Sequence, residues 1–506
     1  MRSWDLARTA MLVKIRKDGS IMRVFPVTAK LRRILHNALT FTHLKYLATW
    51  KERQAAGGSA VRPEDVECYE LRDYDGVQQL VTMSGYERRI TRLLKKKGYE
   101  VDVQELRPIG RASAFKPCWD NVKHVIFKPK QKELLEKMLA AERGQIWYPT
   151  GAGKTFLAQL YCLVLPKARI LFTTKHQANL KDTYRILKKA LPSVGIYCSE
   201  KKKNDGARVM CVSAGCLHRY ADTKWDVIIG DEVHELATDS YLAKLALFRF
   251  SRFIGLSANF RDRLDQADFQ LEGLFGPLVA KLTYQEGVDA GLIVPIEVHW
   301  RTARFKYNPA EDFDGVMLRK FGLWTNSARN RKIAKDAQHF PDDQVLIVVK
   351  TVEHALHLQK LLPEYEIVYS QISPKKLKSF KKQGLLKKNY RPLTPGEKDQ
   401  CKRDFENGTL KKVIATSVWN RGVNFHRLQV LIRADGGASK IDDTQIPGRL
   451  SRHCERIKKK CGVLIDYQDQ FDERLERKAD SRRRQYRRKG WKQVLPENDR
   501  LFVAKT

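Results

Sequence analysis

Along the chain, apolar residues recur first with mixed spacing and then in two long blocks where strand-like runs alternate with helical ones. From Met11 to about Pro108, "MLVKIRKDGSIMRVFPV" alternates as two short strands about an Asp18-Gly19 turn, and "AKLRRILHNALTFTHLKYLATWKERQA" repeats apolar residues at helical spacing. "QAAGGSAVRPED" reads as a loop and "VECYELRDYDGVQQLVTMS" as strands. "GYERRITRLLKKKGY" predicts a basic helix ended by Gly98, and "EVDVQEL" a further strand. These elements make a small α+β module. From about Val125 to Pro295, "GQIWYPT", "ARILFTT", "GARVMCVS", "WDVIIGDE" and "RFIGLSA" alternate with helical stretches, the pattern of a parallel α/β layer. A second block from about Ile296 to Gln470 repeats the arrangement with "QVLIVVK", "YEIVYS", "KKVIATS", "LQVLIRA" and "CGVLIDY".

Two basic stretches interrupt this order. "SPKKLKSFKKQGLLKKNYRPLTPGEK", within 374–398, reads either as a solvated, turn-punctuated loop or as a direct DNA contact. "DQFDERLERKADSRRRQYRRKGWKQ" predicts a basic helix and tail. The expected organisation is therefore 1–120, 121–295, 296–470 and 471–506: an α+β module, two α/β domains in tandem, and a basic tail.

Composition adds the nature of the partner. Across 506 residues, 95 Lys and Arg against 58 Asp and Glu leave a formal charge of +37, which makes nucleic acid the leading candidate ligand. Nine cysteines fall singly, with no C-x-x-C pair, so neither a zinc ribbon nor a thioredoxin-like motif is written. The first residues lack a signal-peptide apolar region, and no run of about 18 apolar residues occurs. The expectation is a soluble, cytoplasmic protein without a membrane partner.

Two motifs carry chemistry. In "YPTGAGKT", Thr150, Gly151, Ala152 and Gly153 form a turn from a strand into a helix, where backbone N–H groups and a helix N-terminus can ring a phosphate. Lys154 would meet the β- and γ-phosphates and Thr155 a Mg²⁺ ion. Tyr148 stands where the pattern opens with Gly; with Pro149 it belongs to the candidate ATP loop, although at a strand end it makes no phosphate contact. In "WDVIIGDEVHEL" two carboxylates emerge at a strand's C-terminal end, where α/β sheets place ligands. Asp231 can hold Mg²⁺, and Glu232 can orient and deprotonate water.

Together these motifs resemble the superfamily 2 helicases and translocases with a D-E-x-H box, from about Phe127 to Asp466. The resemblance implies two tandem RecA-like motor domains with parallel sheets, using ATP and Mg²⁺. By the same likeness, Gln131 reads adenine. Thr173, Thr174, Lys175 and Gln177 of "LFTTKHQANL" face a nucleic-acid backbone, and Ser213 does likewise unless "VSAGCL" is an ordinary strand-to-helix turn. "GLSANF" resembles the S-A-T segment with Asn259 in the Thr position, and Ser257 would bond His234 to couple the ATP site to nucleic acid. In "IATSVWNRGVNF", Thr416 would touch a phosphate and Gly422 the nucleotide, with Asn424 where Asp is common in the family. "QIPGRLSR" reproduces Q-x-x-G-R-x-x-R through Gln445, Gly448, Arg449 and Arg452. The two arginines, three apart, are expected on one helix face as arginine fingers.

"TMSGYERRITRLLKKKGYEVDV" is similar to the small domain ahead of the motor in phage branch-migration helicases of the UvsW type and in helicases related to XPB. That implies an enzyme acting on branched or forked DNA, within a host cytoplasm if phage-encoded. A double-strand DNA translocase and an RNA remodeller stay open as alternatives.

Overall fold

Period-two alternation in the N-terminal module turns directly into sheet. In a computed structural model of the protein, residues 11–46, 54, 61–258, 268–369, 371–419, 425–438, 446–499 and 501–502 are described. β1 (Leu12–Asp18) and β2 (Ile21–Phe25) pair antiparallel from Lys14 opposite Phe25 to Asp18 opposite Ile21. A helix, Ala29–Leu39, follows. The helical run expected to continue beyond it does not. Its β-branched and aromatic residues instead form β3 (Thr40–Tyr46), paired antiparallel with β4 (Val61–Glu67), so part of the expected loop "QAAGGSAVRPED" is strand. Pro63 is tolerated because this ladder has only two strands and thus two open edges.

β5 (Tyr69–Tyr74) and β6 (Val77–Met83) form a hairpin about Asp75-Gly76, then the basic helix runs Glu87–Lys96, and β7 (Glu100–Arg107) pairs parallel to β1. The five-stranded sheet has the order β5-β6-β2-β1-β7. Inward residues of the strands (Val13, Ile15, Met22, Val24) meet Leu31, Leu35 and Leu39 of the first helix and Ile90 and Leu94 of the second. The second helix leaves Arg88, Lys95, Lys96 and Lys97 on its outside.

The chain divides into two compact units, one of Met1–Tyr148 and Lys154–Leu282 and the other of Thr283–Thr506 together with Pro149–Gly153. In the first, the sheet consists of β8 (Arg143–Trp147), β9 (Ile170–Thr174), β10 (Val194–Cys198), β11 (Lys201–Lys203), β12 (Val209–Ser213), β13 (Val227–Asp231), β14 (Arg252–Ser257) and β15 (Leu278–Lys281). Their order is β11-β10-β12-β9-β13-β14-β8-β15, with only β11 antiparallel to its neighbour. Continuous apolar runs suit the inner strands because both faces are covered. β10, β11 and β15 are additions to the five strands read from sequence: β10 contains Gly195, β11 is all lysine, and β15 has only four residues.

The second unit repeats the design with β16 (Ile296–Ala303), β17 (Val345–Val348), β18 (Glu366–Val368), β19 (Lys412–Ala415), β20 (Val430–Arg433), β21 (Gly462–Asp469) and β22 (Lys492–Val494). All its pairings are parallel, in the order β18-β19-β17-β20-β21-β16-β22. The Lys-rich segment is more ordered than a loop. Ser373 caps a helix at Pro374–Lys382, and a Thr394–Glu397 capping box opens another at Pro395–Asn407. The expected basic tail also has structure: the helix Glu473–Arg488 leads into β22, which pairs with β16. That helix buries Arg482, whose guanidinium donates to both oxygens of Asp466 at 2.9 Å and to the Gly437 and Tyr467 carbonyls at 3.0 Å. The Tyr486 hydroxyl donates to the same carboxylate at 2.8 Å.

Within the first unit, the N-terminal module packs on the β8–β15 domain through specific polar contacts. Asp18 accepts from Arg107 at 2.6 Å and from Arg249 at 2.5 Å, and these two cations hold its carboxyl below the ordinary range against the opposing effect of burial. Arg89 donates to Glu272 at 3.0 Å, and the Tyr86 hydroxyl to the Phe269 carbonyl at 2.9 Å. At Gly85 the backbones come so close that a Cβ would lie 2.1 Å from the Glu272 carbonyl oxygen.

Two stability outcomes follow from these contacts. Gly85→Ala should cost about 1–3 kcal/mol by overpacking, measured by urea denaturation, whereas Gly215→Ala, with open space around it, should lack that overpacking cost. Asp466→Ala should cost about 3–5 kcal/mol because Arg482 is left buried without its carboxylate; a loss below about 1 kcal/mol would contradict this account.

Candidate active site

β8 delivers the chain to the phosphate-loop segment. Tyr148 follows β8 and is wholly buried, its hydroxyl pushed up to about 12 by burial with Gln131 beside it. It is a core residue, so the structure places it behind the loop and not among direct ATP contacts. Gln131 opens the helix Gln131–Ala140 and accepts the Lys128 N–H at 3.0 Å. Gly151 and Gly153 have φ of +87° and +99°, conformations that a side chain would strain and that let loop N–H groups turn inward. The helix Lys154–Val164 starts immediately afterwards and puts Lys154 and half-buried Thr155 in its first turn.

β13 brings the two carboxylates to the same place. Lys154 Nζ forms an ion pair with Glu232 Oε1, with both side chains largely buried. Burial raises the Glu232 carboxyl's affinity for a proton, but Lys154 and then His234 outweigh it and leave the group below its ordinary value. Asp231 goes the other way: burial first, and the neighbouring Glu232 carboxylate second, push it well up. Asp231 Oδ1 is buried without a hydrogen-bond partner. A desolvated carboxylate oxygen of this kind fits a hard divalent cation such as Mg²⁺. Glu232 has φ +47° and ψ 51°, left-handed values that cost a non-glycine residue strain and occur most often at functional sites.

The expected contact between His234 and Ser257 is present. His234 Nδ1 and Ser257 Oγ, at the end of β14, lie 2.8 Å apart, and both residues are buried. His234 Nδ1 is also 3.5 Å from Glu232 Oε2. A contact missed in the sequence extends this line: Glu235 Oε2 meets His176 Nε2 at 2.6 Å, and His176 precedes the helix Gln177–Ala190. The signal was Glu235 beside His234 in "DEVHEL", with a histidine inside "TTKHQ".

The residues expected to face nucleic acid separate into two groups. Thr173 and Thr174 are wholly buried at the end of β9, an inner strand of a sheet covered on both faces, so their side chains do not face outward, contrary to the expectation for both. Lys175 is exposed, and Gln177 is half-buried, donating to Ser199 Oγ at 2.6 Å. Ser213, the partner of Thr174 in the ladder, is mostly buried.

In the second unit, Thr416 follows β19 and is mostly buried. Arg449 lies in a 3-10 turn, Pro447–Ser451, and its guanidinium donates to the Trp419 carbonyl. Arg452 does not share a helix face with it. The turn ends first, and Arg452 is extended, forming a β-bridge with Ile293. Asn259, Gly422, Asn424 and Gln445 lie outside the described residues.

Family comparisons agree with this geometry. Residues 124–262 match the family described as type III restriction enzyme, res subunit, and residues 330–454 the helicase conserved C-terminal domain. The chain belongs to superfamily 2 of the helicases. Both matches are to helicase-family domains.

Similar proteins include one named "Putative helicase 22" from Sulfolobus islandicus filamentous virus, 23% identical over 64% of this chain and 60% of the relative. The chain thus spans less than two thirds of that protein's length. The DNA 3'-5' translocase XPB2 of Sulfurisphaera tokodaii is 23% identical over 64% of this chain and 77% of the relative. S. cerevisiae Dbp5, solved with RNA and ADP BeF3, has a TM-score of 0.51 at 16% identity, covering 76% of this chain and 94% of Dbp5. The shared architecture is two tandem RecA-like domains, which in this chain follow the small α+β region in sequence. Among the described residues, no helix is long and apolar enough to cross a membrane.

Ser257→Ala removes the hydroxyl that meets His234 in a buried setting. A destabilisation of about 1–3 kcal/mol is expected by urea denaturation, and no loss would mean that the 2.8 Å contact contributes nothing.

Proposed function

We propose that the chain is an ATP-dependent DNA helicase that unwinds or branch-migrates forks and four-way junctions. The observation that carries the reading is the meeting of Lys154, Asp231 and Glu232 at the ends of buried strands, tied through His234 to Ser257. Lys154 binds the β- and γ-phosphates of ATP, beside the N–H groups of Gly151, Ala152 and Gly153. Thr155 and Asp231 would hold Mg²⁺, whose charge offsets that of the phosphates. Glu232 accepts the proton of the attacking water. When Lys154 turns to a phosphate, the chief charge lowering Glu232's proton affinity is drawn away, so its basicity rises as substrate binds.

Gln131 is assigned to the adenine, and Gly422, Gln445, Arg449 and Arg452 to the nucleotide, by the family resemblance. Lys175, Gln177, Ser213 and Thr416 are assigned to nucleic acid on the same ground. DNA is favoured by the likeness to XPB2, named a DNA 3'-5' translocase, which also supports 3' to 5' movement. Branched DNA is favoured by the N-terminal module, whose helix Glu87–Lys96 presents a basic outer face. The second reading, a duplex translocase that does not separate strands, has support from the XPB2 name and from the restriction-enzyme family match.

ATP turnover should rise most with fork DNA, less with linear duplex and single strands, and least with RNA. An equal rate with and without every nucleic acid sinks the proposal; triplex displacement without fork unwinding moves it to the translocase reading. Lys154→Ala should lower turnover about 10²–10³-fold and Glu232→Gln about 10²–10⁴-fold, with DNA binding retained in each. Chelating Mg²⁺ should abolish turnover.

A further inference from the structure

We infer that the outer edge of the first unit's sheet, around β11, is a second nucleic-acid surface that follows the phosphate backbone of a duplex arm. The inference rests on the proposed nucleic-acid function and adds a binding surface outside the motor motifs. β11 is the sheet's outermost strand, and its three residues are Lys201, Lys202 and Lys203. It folds back on β10, with Cys198 opposite Lys201 and Ile196 opposite Lys203, so the turn at Ser199-Glu200 sits at the same sheet end as Lys175. That turn is tied to the Lys175 segment: Gln177 Nε2 donates to Ser199 Oγ at 2.6 Å, and Lys181 pairs with Glu200.

From this end the edge is basic on both faces, as strand alternation requires of consecutive lysines. Lys201 lies over the Tyr184 ring at 4.8 Å, with Lys188 over the same ring at 5.9 Å. On the other side Lys202 lies over Tyr197 at 4.9 Å and Arg219 at 5.7 Å. Tyr220 and Trp225 continue the line of rings, and Arg169 lies over Trp225 at 4.6 Å near the opposite sheet end. The rings hold the cations in place without neutralising them.

Of the acids at this edge, Glu200 is paired with Lys181, while Asp205 accepts the Tyr220 hydroxyl at 2.6 Å and keeps its charge, one acid among the lysines and arginines of the edge. Among the described residues, Lys188, Lys189, Lys201, Lys202 and Lys203 form no ion pair with a carboxylate. Five residues of β10 at about 3.3 Å each span roughly 16 Å, close to the rise of five base pairs at about 3.4 Å. Edge lysines also deter strand addition from other chains, but that role makes no use of Lys188, Lys189, Arg169 and Arg219 on the flanking segments.

The test compares the full-length wild type with K201S/K202S/K203S, using fluorescence anisotropy against salt on a fork with a long duplex arm and on a short single strand. Thermal melting checks that each protein is folded. The triple variant should lower the slope of log affinity against log salt by about 2–3 for the long-armed fork, weaken that binding about tenfold or more, and affect the short strand far less. Equal slopes in a folded variant overturn the inference and leave the lysines as edge protection. If the triple variant aggregates, K188S/K189S decides: a slope lower by about 1–2 supports the surface, and an unchanged slope rejects it. Wild type that binds neither substrate would instead refute the nucleic-acid reading beneath it.

Discussion

Two adjacent carboxylates at a buried strand end are costly unless positive charge is brought to them. β13 puts Asp231 and Glu232 there, and the first unit is built around supplying that charge. Lys154 reaches Glu232 from the helix after the phosphate loop, and His234 stands on its other side. The pair separates as a result: Glu232 is held ionised while burial and its neighbour push Asp231 up, leaving a desolvated oxygen suited to a divalent cation. The left-handed backbone at Glu232 is part of the same construction, since it turns successive side chains to different partners.

From there, contacts radiate along the strand ends. His234 meets Ser257 on β14, and Glu235 meets His176 ahead of the helix Gln177–Ala190. Lys175 and Gln177 neighbour that histidine, and Gln177 in turn holds the β10–β11 turn. Short polar contacts therefore link the carboxylates to the segment that carries Lys175 and Gln177. The N-terminal module is fastened to the same unit by Asp18 with two arginines, Arg89 with Glu272, and the close approach at Gly85.

The second unit spends its buried charge differently. Arg482, Asp466, Tyr486 and Arg433 form one satisfied network linking the helix Glu473–Arg488 to β20 and β21. Arg482 also holds the Gly437 carbonyl just beyond β20. Buried ion pairs add little net stability but penalise misplacement strongly. Their value here is positional: they set where the backbone leaves the sheet.

The sequence alone determined the two α/β layers, the strand-to-helix turn of "YPTGAGKT" and the carboxylates of "WDVIIGDE", because continuous apolar runs and turn glycines are local signals. It also implied that His234 and Ser257 meet, through a family likeness. Tertiary structure decided what local signals cannot carry. Thr173 and Thr174 are buried because β9 is an inner strand of a sheet covered on both faces, and "TFTHLKY" became strand because β4 offered a partner. Arg452 left the helix face expected for it because Ile293 supplied a bridge. In each case the deciding hydrogen bond or neighbour lies many residues away, where periodicity over a short window contains no information.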